Sequence, residues 1–229
     1  TPNIALMLER NAIRFPDKIV YAERHTNNYE GITWKNFFKT VQNILTNLNK
    51  LGFKKGDKVV VYSPNRLEML EFEIAVMAGG GISVPIFAYF QQETAELLIR
   101  HSDAKFIAVA GELQLNRISS DLPIEKIFLF DTGIIHSDKN YIKFDELVKE
   151  PKETSTPLYF DASPDDICLN MYTSGTMGIP KCVQLTHKNI LSQQAGLEKL
   201  WKLDENDRFL SYLPWHHSFG GIFERFSAL

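Results

Sequence analysis

The sequence contains little cysteine. Two of its 229 residues are cysteine, Cys168 and Cys182. Two cysteines are too few for the disulfide framework of a small secreted domain, and they lack the clustered Cys/His spacing of a zinc site. The cysteine content therefore favours a reducing, cytoplasmic compartment.

A strong excess of one charge is also absent. The chain has 25 basic and 28 acidic residues, so its formal net charge is only −3. A protein with this balance has no broad positive field to attract nucleic acid through counterion release. We therefore expect small-molecule partners and no nucleic acid.

Neither a signal peptide nor a transmembrane segment is evident. The amino-terminal stretch, TPNIALMLERNAIRFPDK, carries charge throughout, unlike a secretory signal. The uncharged run at residues 74–90 is slightly short for a membrane span, and three glycines and Pro85 would break a helix in its middle. We interpret this run as a helix end, a turn and a buried strand. Peripheral contact with a membrane through another surface stays open.

In the first half of the chain, short apolar runs alternate with segments of helical periodicity. After Thr33, which can N-cap a helix, apolar residues recur at helical spacing, and Gly52 stands where that helix would end. The stretch NNYEG, residues 27–31, predicts a turn. The predicted strands are residues 19–24, 58–62, 82–86, 106–110 and 126–130. The predicted helices are residues 34–51, 66–78, 94–101 and 112–119.

This alternation predicts the fold class. Strands that alternate with helices form a largely parallel sheet that is covered on both sides. We therefore expect an α/β protein with mixed, largely parallel sheets covered by helices on both faces. A polar, proline-containing stretch, KEPKETSTPLYFDASPDD, is typical of a surface connection. It predicts a first α/β lobe at residues 1–150, a connection at 151–166 and the start of a second lobe at 167–229.

The predicted second lobe begins with two strands joined by a loop. Residues 167–172 form an apolar run, and the alternation at residues 182–186 predicts a half-buried strand. The remaining predicted elements are a helix from Thr186 or His187 to about Trp201, a strand at residues 208–212 and a helix-like tail from Phe219.

The loop between those two strands reads YTSGTMGIPK, residues 172–181. Glycines let the backbone approach a ligand closely, hydroxyls and amides donate hydrogen bonds, and a lysine adds positive charge, so together these groups suit a polyphosphate. It is not a Walker loop, because Pro180 and a following strand replace the helix N-terminus that a Walker loop uses. On composition alone, a solvent-exposed turn rich in Gly, Ser and Thr stays an open alternative.

The full string at residues 172–187, YTSGTMGIPKCVQLTH, resembles the signature loop of the adenylate-forming enzymes, the superfamily of acyl-CoA synthetases, luciferases and adenylation domains. The family pattern is YTSGTTGxPKGVxxTH, from which only Met177 and Cys182 depart. The resemblance implies that the loop cradles the β- and γ-phosphates of ATP, with Thr176 at the magnesium ion and Lys181 at the departing pyrophosphate. The nucleotide-binding residues that it implies are Thr173, Ser174, Gly175, Thr176, Met177, Gly178 and Lys181.

A second segment, LPWHHSFG at residues 213–220, resembles the next motif of this family, in which a histidine lines the site where the carboxylate meets the α-phosphate. By position His217 takes this role, and Trp215 and Phe219 are expected to shape the substrate pocket. Charge develops when a carboxylate attacks a polyanion, so a hydrogen-bonding or positive group is needed there. We interpret His216 as structural. A metal site formed by His216 and His217 is not expected, because adjacent residues on a strand point apart and no further ligand is evident.

The resemblance covers nearly the whole chain and is nearest to bacterial long-chain fatty acid CoA ligases, including the FERF segment at residues 223–226. It implies that ATP with Mg²⁺ and a long-chain fatty acid give an acyl adenylate and pyrophosphate, after which coenzyme A displaces AMP to form the thioester. The segments that the family uses for adenine, ribose and the carboxy-terminal lid do not occur in the sequence. We therefore expect an amino-terminal piece of a longer enzyme that does not complete adenylation alone.

Two alternatives stay open at this stage. A fatty acyl-AMP ligase that delivers the acyl group to an acyl carrier protein would share every motif described above. A noncatalytic binding module that retains the fold is the second alternative. The residues of this chain do not distinguish among the three.

Overall fold

The helices and strands follow the apolar periodicities of the sequence. The structure, a computed structural model, describes residues 2–134, 140–152, 162–173, 180–227 and 229. Its strands are β1 (Ile19–His25), β2 (Asn28–Thr33), β3 (Lys58–Tyr62), β4 (Ile82–Ile86), β5 (Phe106–Val109), β6 (Lys126–Leu129), β7 (Tyr141–Lys143), β8 (Ile167–Thr173) and β9 (Lys181–Thr186). Its helices are α1 (Ile4–Arg14), α2 (Trp34–Lys50), α3 (Leu67–Ala78), α4 (Gln92–Ser102), α5 (Glu112–Leu115), α6 (Phe144–Val148), α7 (His187–Trp201), a π-helix (Phe219–Glu224) and α8 (Arg225–Ser227).

Helix α2 illustrates how local sequence sets the ends of an element. The Thr33 side chain accepts a hydrogen bond from the backbone N–H of Asn36 at 3.3 Å, which satisfies one of the free donors of the first turn. Gly52 follows the helix with φ of +100°, a conformation that favours glycine. The N-cap predicted from the sequence is confirmed.

One sheet organises most of the chain. Its strands lie in the order β7-β6-β5-β3-β4-β8-β9. Every pair in it is parallel except β8 and β9, which are antiparallel. Strands β1 and β2 form a separate antiparallel pair. The prediction of a mixed, largely parallel sheet is confirmed.

Helices cover the sheet on both faces because alternate residues of its central strands point in opposite directions. Val59 and Val61 of β3 belong to a buried cluster that includes residues of α2 and α3. Val60 and Tyr62 of the same strand belong to a second buried cluster that includes residues of α4. The prediction of helices on both faces is confirmed.

The predicted boundary between the two lobes does not coincide with a break in the sheet. Ser83 of β4 pairs with Leu169 of β8, so strands on either side of the predicted connection are hydrogen-bonded neighbours. Residues 153–161 of that connection lie outside the described residues. The division into two lobes stays a prediction.

The strand predicted at residues 208–212 is wrong. These residues have no strand geometry, and the side chains of Leu210 and Tyr212 are 78% and 74% exposed. Side-chain hydrogen bonds hold the segment instead: the Ser211 hydroxyl and the Leu213 backbone N–H both donate to Glu224 Oε2. Within the described residues, no strand pairs with this backbone.

Other differences are local. Asn28–Thr33 pairs with β1 as a strand, so the predicted turn at residues 27–31 is wrong over most of its length. Helix α1, strand β7 and helix α6 were not predicted. Both β7 and α6 are short: β7 pairs with β6, and the carbonyl of Val148 at the end of α6 accepts a hydrogen bond from the Asn43 side chain of α2 at 3.0 Å. Contacts with distant parts of the chain therefore stabilise these two elements more than local periodicity does.

Candidate active site

The loop predicted to bind phosphate joins the ends of two paired strands. In the antiparallel ladder of β8 and β9, Tyr172 lies opposite Cys182 and Thr173 lies opposite Lys181. This confirms that a strand precedes and a strand follows the loop. The predicted loop residues that lie outside the described ranges are Ser174, Gly175, Thr176, Met177 and Gly178. Their roles stay predictions.

The entry of the loop is fastened to α4 through Tyr172. The Tyr172 hydroxyl lies 2.8 Å from His101 Nδ1 and donates to the Leu98 carbonyl at 3.4 Å. The His101 ring also meets the Tyr172 ring edge-on, with 5.6 Å between centroids. Thr173 and Lys181, the next paired residues, are exposed at the end of the ladder. Their polar groups can therefore reach a ligand.

A mostly apolar cavity of about 240 Å³ opens beside the two flanks of the loop. Thr173 and Pro180 line it on the loop side. The opposing walls come from the segment after β4 and from α4: Phe87, Phe90 and Leu98. These three apolar residues were not predicted from the sequence, although the aromatic residues directly after β4 were a signal for two of them, Phe87 and Phe90.

His216 also lines this cavity. Its ring lies 4.7 Å from the Phe87 ring, centroid to centroid. Burial is the main cause that lowers the pKa of His216 to about 4, with a smaller electrostatic contribution from the neighbouring His217, so the His216 imidazole is neutral at neutral pH. The interpretation of His216 as purely structural thus overlooked its position in the cavity wall.

The structure places His217 and Phe219 outside the wall of this cavity. Both side chains are exposed, and the Phe219 N–H donates to His217 Nδ1 at 3.4 Å. The carbonyl of His217 accepts from the Gly221 N–H at 2.7 Å, which fixes the turn before the π-helix.

Trp215 faces a different space from the cavity beside the loop. Its side chain is 2% exposed, its backbone N–H donates to Asn65 Oδ1, and its indole Nε1–H donates to Ser211. It lines a groove of about 760 Å³ together with Tyr21 and Arg225. Trp215 is therefore not brought together with Thr173, and its predicted role in the substrate pocket stays a prediction.

The described residues do not test the predicted magnesium site. Within the described ranges, no group of three or more His, Cys, Asp or Glu side chains could hold a metal ion. Mg²⁺ commonly binds through one or two carboxylates together with substrate phosphates, so a magnesium site does not need a cluster of three such side chains. Thr176 lies outside the described residues, so its role at magnesium stays a prediction.

A comparison with known families shows which family the chain belongs to. The family model described as AMP-binding enzyme matches residues 8–229. This chain belongs to the AMP-binding enzyme family. The family assignment rests on nearly the whole chain, so it agrees with the resemblance that the loop at residues 172–187 indicated.

Individual relatives agree with the AMP-binding family. The chain is 30% identical to fatty acyl-CoA synthetase A of Dictyostelium discoideum over 86% of its length and 31% of that protein. It is 25% identical to a chloroplastic long-chain-fatty-acid–[acyl-carrier-protein] ligase of Arabidopsis thaliana over 90% of its length and 31% of that protein. The chain thus spans about a third of the length of either relative.

A solved structure supports the AMP-binding fold. The inhibitor-bound N-terminal domain of FACL13 from Mycobacterium tuberculosis matches with a TM-score of 0.83 and 24% identity. The match covers 100% of this chain and 55% of that one. At this identity the comparison shows a shared fold and no more.

His187, the last residue of the string at residues 172–187, is buried in the core. Its side chain is 1% exposed at the start of α7, and Nδ1 accepts a hydrogen bond from the Ile4 N–H at 3.3 Å. Burial lowers its pKa from 6.5 to about 4, against the opposing effect of nearby Asp166. His187 therefore joins the loop region to α1 as a neutral ring.

We expect His187 to make the fold sensitive to acid. Between pH 6.5 and about 4 the unfolded chain is protonated at His187 whereas the folded protein is not. The stability due to the neutral ring is therefore complete above pH 6.5 and is lost as the pH falls towards 4, by up to roughly 3 kcal/mol. Urea unfolding at several pH values would measure this loss.

His187→Gln is the matched variant for that experiment, because glutamine retains an acceptor for the Ile4 N–H but does not titrate. His216 is present in both proteins, so the difference between their pH profiles reports His187. The wild type should lose more stability than the variant on acidification. Parallel profiles would show that His187 is not the responsible group.

Proposed function

We propose that the protein containing this chain activates a long-chain fatty acid with ATP and transfers the acyl group to coenzyme A. The carboxylate attacks the α-phosphate of ATP, which forms an acyl adenylate and releases pyrophosphate. The thiol of coenzyme A then attacks the acyl carbonyl and AMP leaves. The observation that carries this proposal is that both flanks of the family's signature loop, Thr173 and Pro180, line one cavity whose other walls are mostly apolar.

Lys181 is suited to the charge that develops on the leaving group. It is the first residue of β9, is exposed, and lies opposite Thr173 in the ladder. An ammonium group beside the phosphates stabilises the negative charge of the departing pyrophosphate. Bound Mg²⁺ would supply further charge neutralisation at the phosphate oxygens.

His217 is suited to donate a hydrogen bond to the reacting phosphate. Its Nδ1 accepts a hydrogen bond from the Phe219 N–H, so in the neutral ring the hydrogen is carried by Nε2. An Nε2–H directed at an oxygen of the α-phosphate stabilises the charge that appears as the carboxylate attacks. We assign His217 this role, and Phe219 a place beside the acid.

The cavity can hold an apolar part of a substrate but is too small for a whole nucleotide. Its volume of about 240 Å³ is below the roughly 300–1,000 Å³ typical of sites that enclose a complete drug-sized ligand. Phe87, Phe90 and Leu98 offer it few polar partners. A nucleotide would therefore lie outside the cavity, at the loop and Lys181, with an apolar portion of a substrate inside.

The names of the relatives support a fatty acid as the substrate. They leave two candidates for the acceptor of the acyl group. One relative is named as a fatty acyl-CoA synthetase, and another as a ligase of long-chain fatty acids to acyl carrier protein. Coenzyme A is our first proposal for the acceptor. Acyl carrier protein is the second, because that relative has a comparable identity over a comparable span.

We also propose a cytoplasmic setting and small-molecule substrates. Cys168 and Cys182 are both free, which suits a reducing compartment. Within the part of the chain that the structure describes, no helix is both long enough and apolar enough to cross a bilayer. The net charge of −3 gives nucleic acid no electrostatic footprint.

The decisive experiment uses the full-length gene product with ATP, MgCl₂, palmitate and coenzyme A. We expect palmitoyl-CoA and AMP in equal amounts. Replacing coenzyme A with acyl carrier protein tests the second acceptor. If no acid between butyrate and palmitate supports exchange of labelled pyrophosphate into ATP, the proposed function is wrong.

A further inference from the structure

Within the described residues, the end of the strand ladder that holds Thr173 and Lys181 is supported by backbone pairing on one side alone. Strand β9 is the last strand of the sheet, and it pairs with β8. On the other side of β8, the registered pair with β4 is Ser83 with Leu169, four residues before Thr173. A ribbon of two strands is marginally stable by itself. Side-chain contacts are therefore needed to fix the end of this ladder.

Tyr172 supplies such a contact directly before Thr173. Its ring packs against a buried cluster that contains Leu98 of α4, and its hydroxyl donates to the Leu98 carbonyl. This bond uses the only hydrogen of the hydroxyl, so in the 2.8 Å contact His101 Nδ1 is the donor and Tyr172 is the acceptor. Burial is the main cause that raises the pKa of Tyr172, so the hydroxyl keeps its hydrogen at neutral pH.

Helix α4 gives His101 a fixed base. The apolar residues of α4 that are buried against the sheet are Ala95, Leu98 and Ile99. Directly after the helix, Asp103 Oδ2 lies 3.6 Å from Lys58 Nζ at the start of β3. The exposed ring of His101 is held by its bond to Tyr172 and by the edge-on contact of the two rings. The position of α4 is thus passed to Tyr172 through one side chain.

His101 stands behind the wall of the cavity beside the loop. Tyr172, Thr173 and Leu98 line that cavity, whereas His101 does not. An effect of His101 on a bound substrate must therefore pass through Tyr172. Tyr172 in turn lies next to Thr173 in β8 and opposite Cys182, the neighbour of Lys181 in β9. The hydroxyl of Tyr172 is thus attached within one residue of both polar groups at the end of the ladder.

We propose that His101 is a positioning residue for adenylation, which fixes the places of Thr173 and Lys181 through its hydrogen bond to Tyr172. This inference rests on the proposed function and adds a residue to the machinery of that site. A small displacement of a charged group from the departing pyrophosphate weakens its interaction with the transition state. Loss of the His101 bond therefore lowers kcat and leaves the KM of the fatty acid nearly unchanged.

The test is a double-mutant cycle in the full-length gene product, measured by exchange of labelled pyrophosphate into ATP with palmitate. His101→Leu removes the donor, and Tyr172→Phe removes the hydroxyl while keeping the ring. His101→Asn is the rescue variant, because an asparagine amide can donate from nearly the position of Nδ1. Arg100→Met is the matched control, because Arg100 precedes His101 on α4 but pairs with Asp121.

We expect His101→Leu and Tyr172→Phe each to lower kcat about 3- to 10-fold, which corresponds to one lost hydrogen bond, while the KM of palmitate changes less than about twofold. The double variant should lose no more than either single variant, because the two side chains act through the same bond. His101→Asn should retain most of the wild-type kcat, and Arg100→Met should retain all of it.

Three results would overturn the inference. They are an unchanged kcat in His101→Leu, losses that multiply in the double variant, and a His101→Asn variant as slow as His101→Leu. Urea unfolding of the same proteins provides a second measurement, and equal midpoints are expected because the His101 side chain is exposed. A wild type that exchanges no pyrophosphate with any acid refutes the proposed function, whereas an active wild type with multiplied losses refutes the role of His101 alone.

Discussion

Replacing Arg225 with methionine is expected to lower the free energy of unfolding by about 3–5 kcal/mol. The side chains of Arg225 and Glu73 are 1% and 0% exposed and form an ion pair through Arg225 Nη1 and Glu73 Oε2. Ser83 donates to the other carboxylate oxygen at 2.7 Å. Without the guanidinium, the buried carboxylate of Glu73 keeps only the Ser83 hydroxyl as a partner. A buried charge that has lost its counter-ion strongly destabilises the folded protein.

The matched control and the rescue variant make this prediction specific. Arg100→Met removes a pair with Asp121 in which both side chains are largely exposed, so the loss should stay below about 1 kcal/mol. The double variant Glu73→Leu/Arg225→Met removes both buried charges and should recover much of the stability. Urea unfolding measures all of these proteins. A loss below 1 kcal/mol in Arg225→Met would contradict the argument.

This ion pair also connects the fold to the proposed chemistry. Arg225 Nε donates to the Gly221 carbonyl at 3.0 Å, and Gly221 lies within the π-helix that carries Phe219. Glu73 belongs to α3, in the first half of the chain. The pair therefore holds the segment with His217 against the main sheet.

Replacing Lys181 with alanine in the full-length gene product is expected to lower the rate of adenylation about 10²- to 10³-fold. The lysine is the first residue of β9 and lies opposite Thr173, so its backbone is held beside the loop by the strand ladder. The loss should appear in kcat rather than in the KM of the fatty acid, because the charge on pyrophosphate grows in the transition state. Exchange of labelled pyrophosphate into ATP measures the rate.

Two further variants separate charge from general disruption. Lys181→Arg keeps a cation with different geometry and should lose less activity than Lys181→Ala. Lys188 lies in the first turn of α7, is exposed and forms an ion pair with Asp165. Lys188→Ala removes this lysine and should leave the rate of adenylation unchanged. If Lys181→Ala retains more than about a third of the wild-type rate, Lys181 has no such role.

Local sequence was sufficient for much of the architecture. The short, mostly apolar runs in β3 and β4 predicted buried parallel strands, because strands rich in Val and Ile suit a sheet covered on both faces. Thr33 predicted the start of α2 because its hydroxyl satisfies a donor three residues away. The string at residues 172–187 predicted the family, and the family comparison confirmed it.

Other features depend on residues far apart in the chain. Residues 208–212 were predicted to form a strand, yet no described strand pairs with them. His216 reaches the cavity because it meets Phe87, which lies after β4. Trp215 turns away from that cavity because Asn65 and Ser211 bind its two N–H groups.

The sequence by itself determined most strands and helices of the central sheet, the N-cap of α2 and the membership of the family, because these depend on side chains within a few residues of one another. The tertiary structure decided which histidine lines the cavity and that β8 pairs with β4. Strand pairing, burial and ring stacking join groups separated by many residues. Their energies depend on how the whole chain packs.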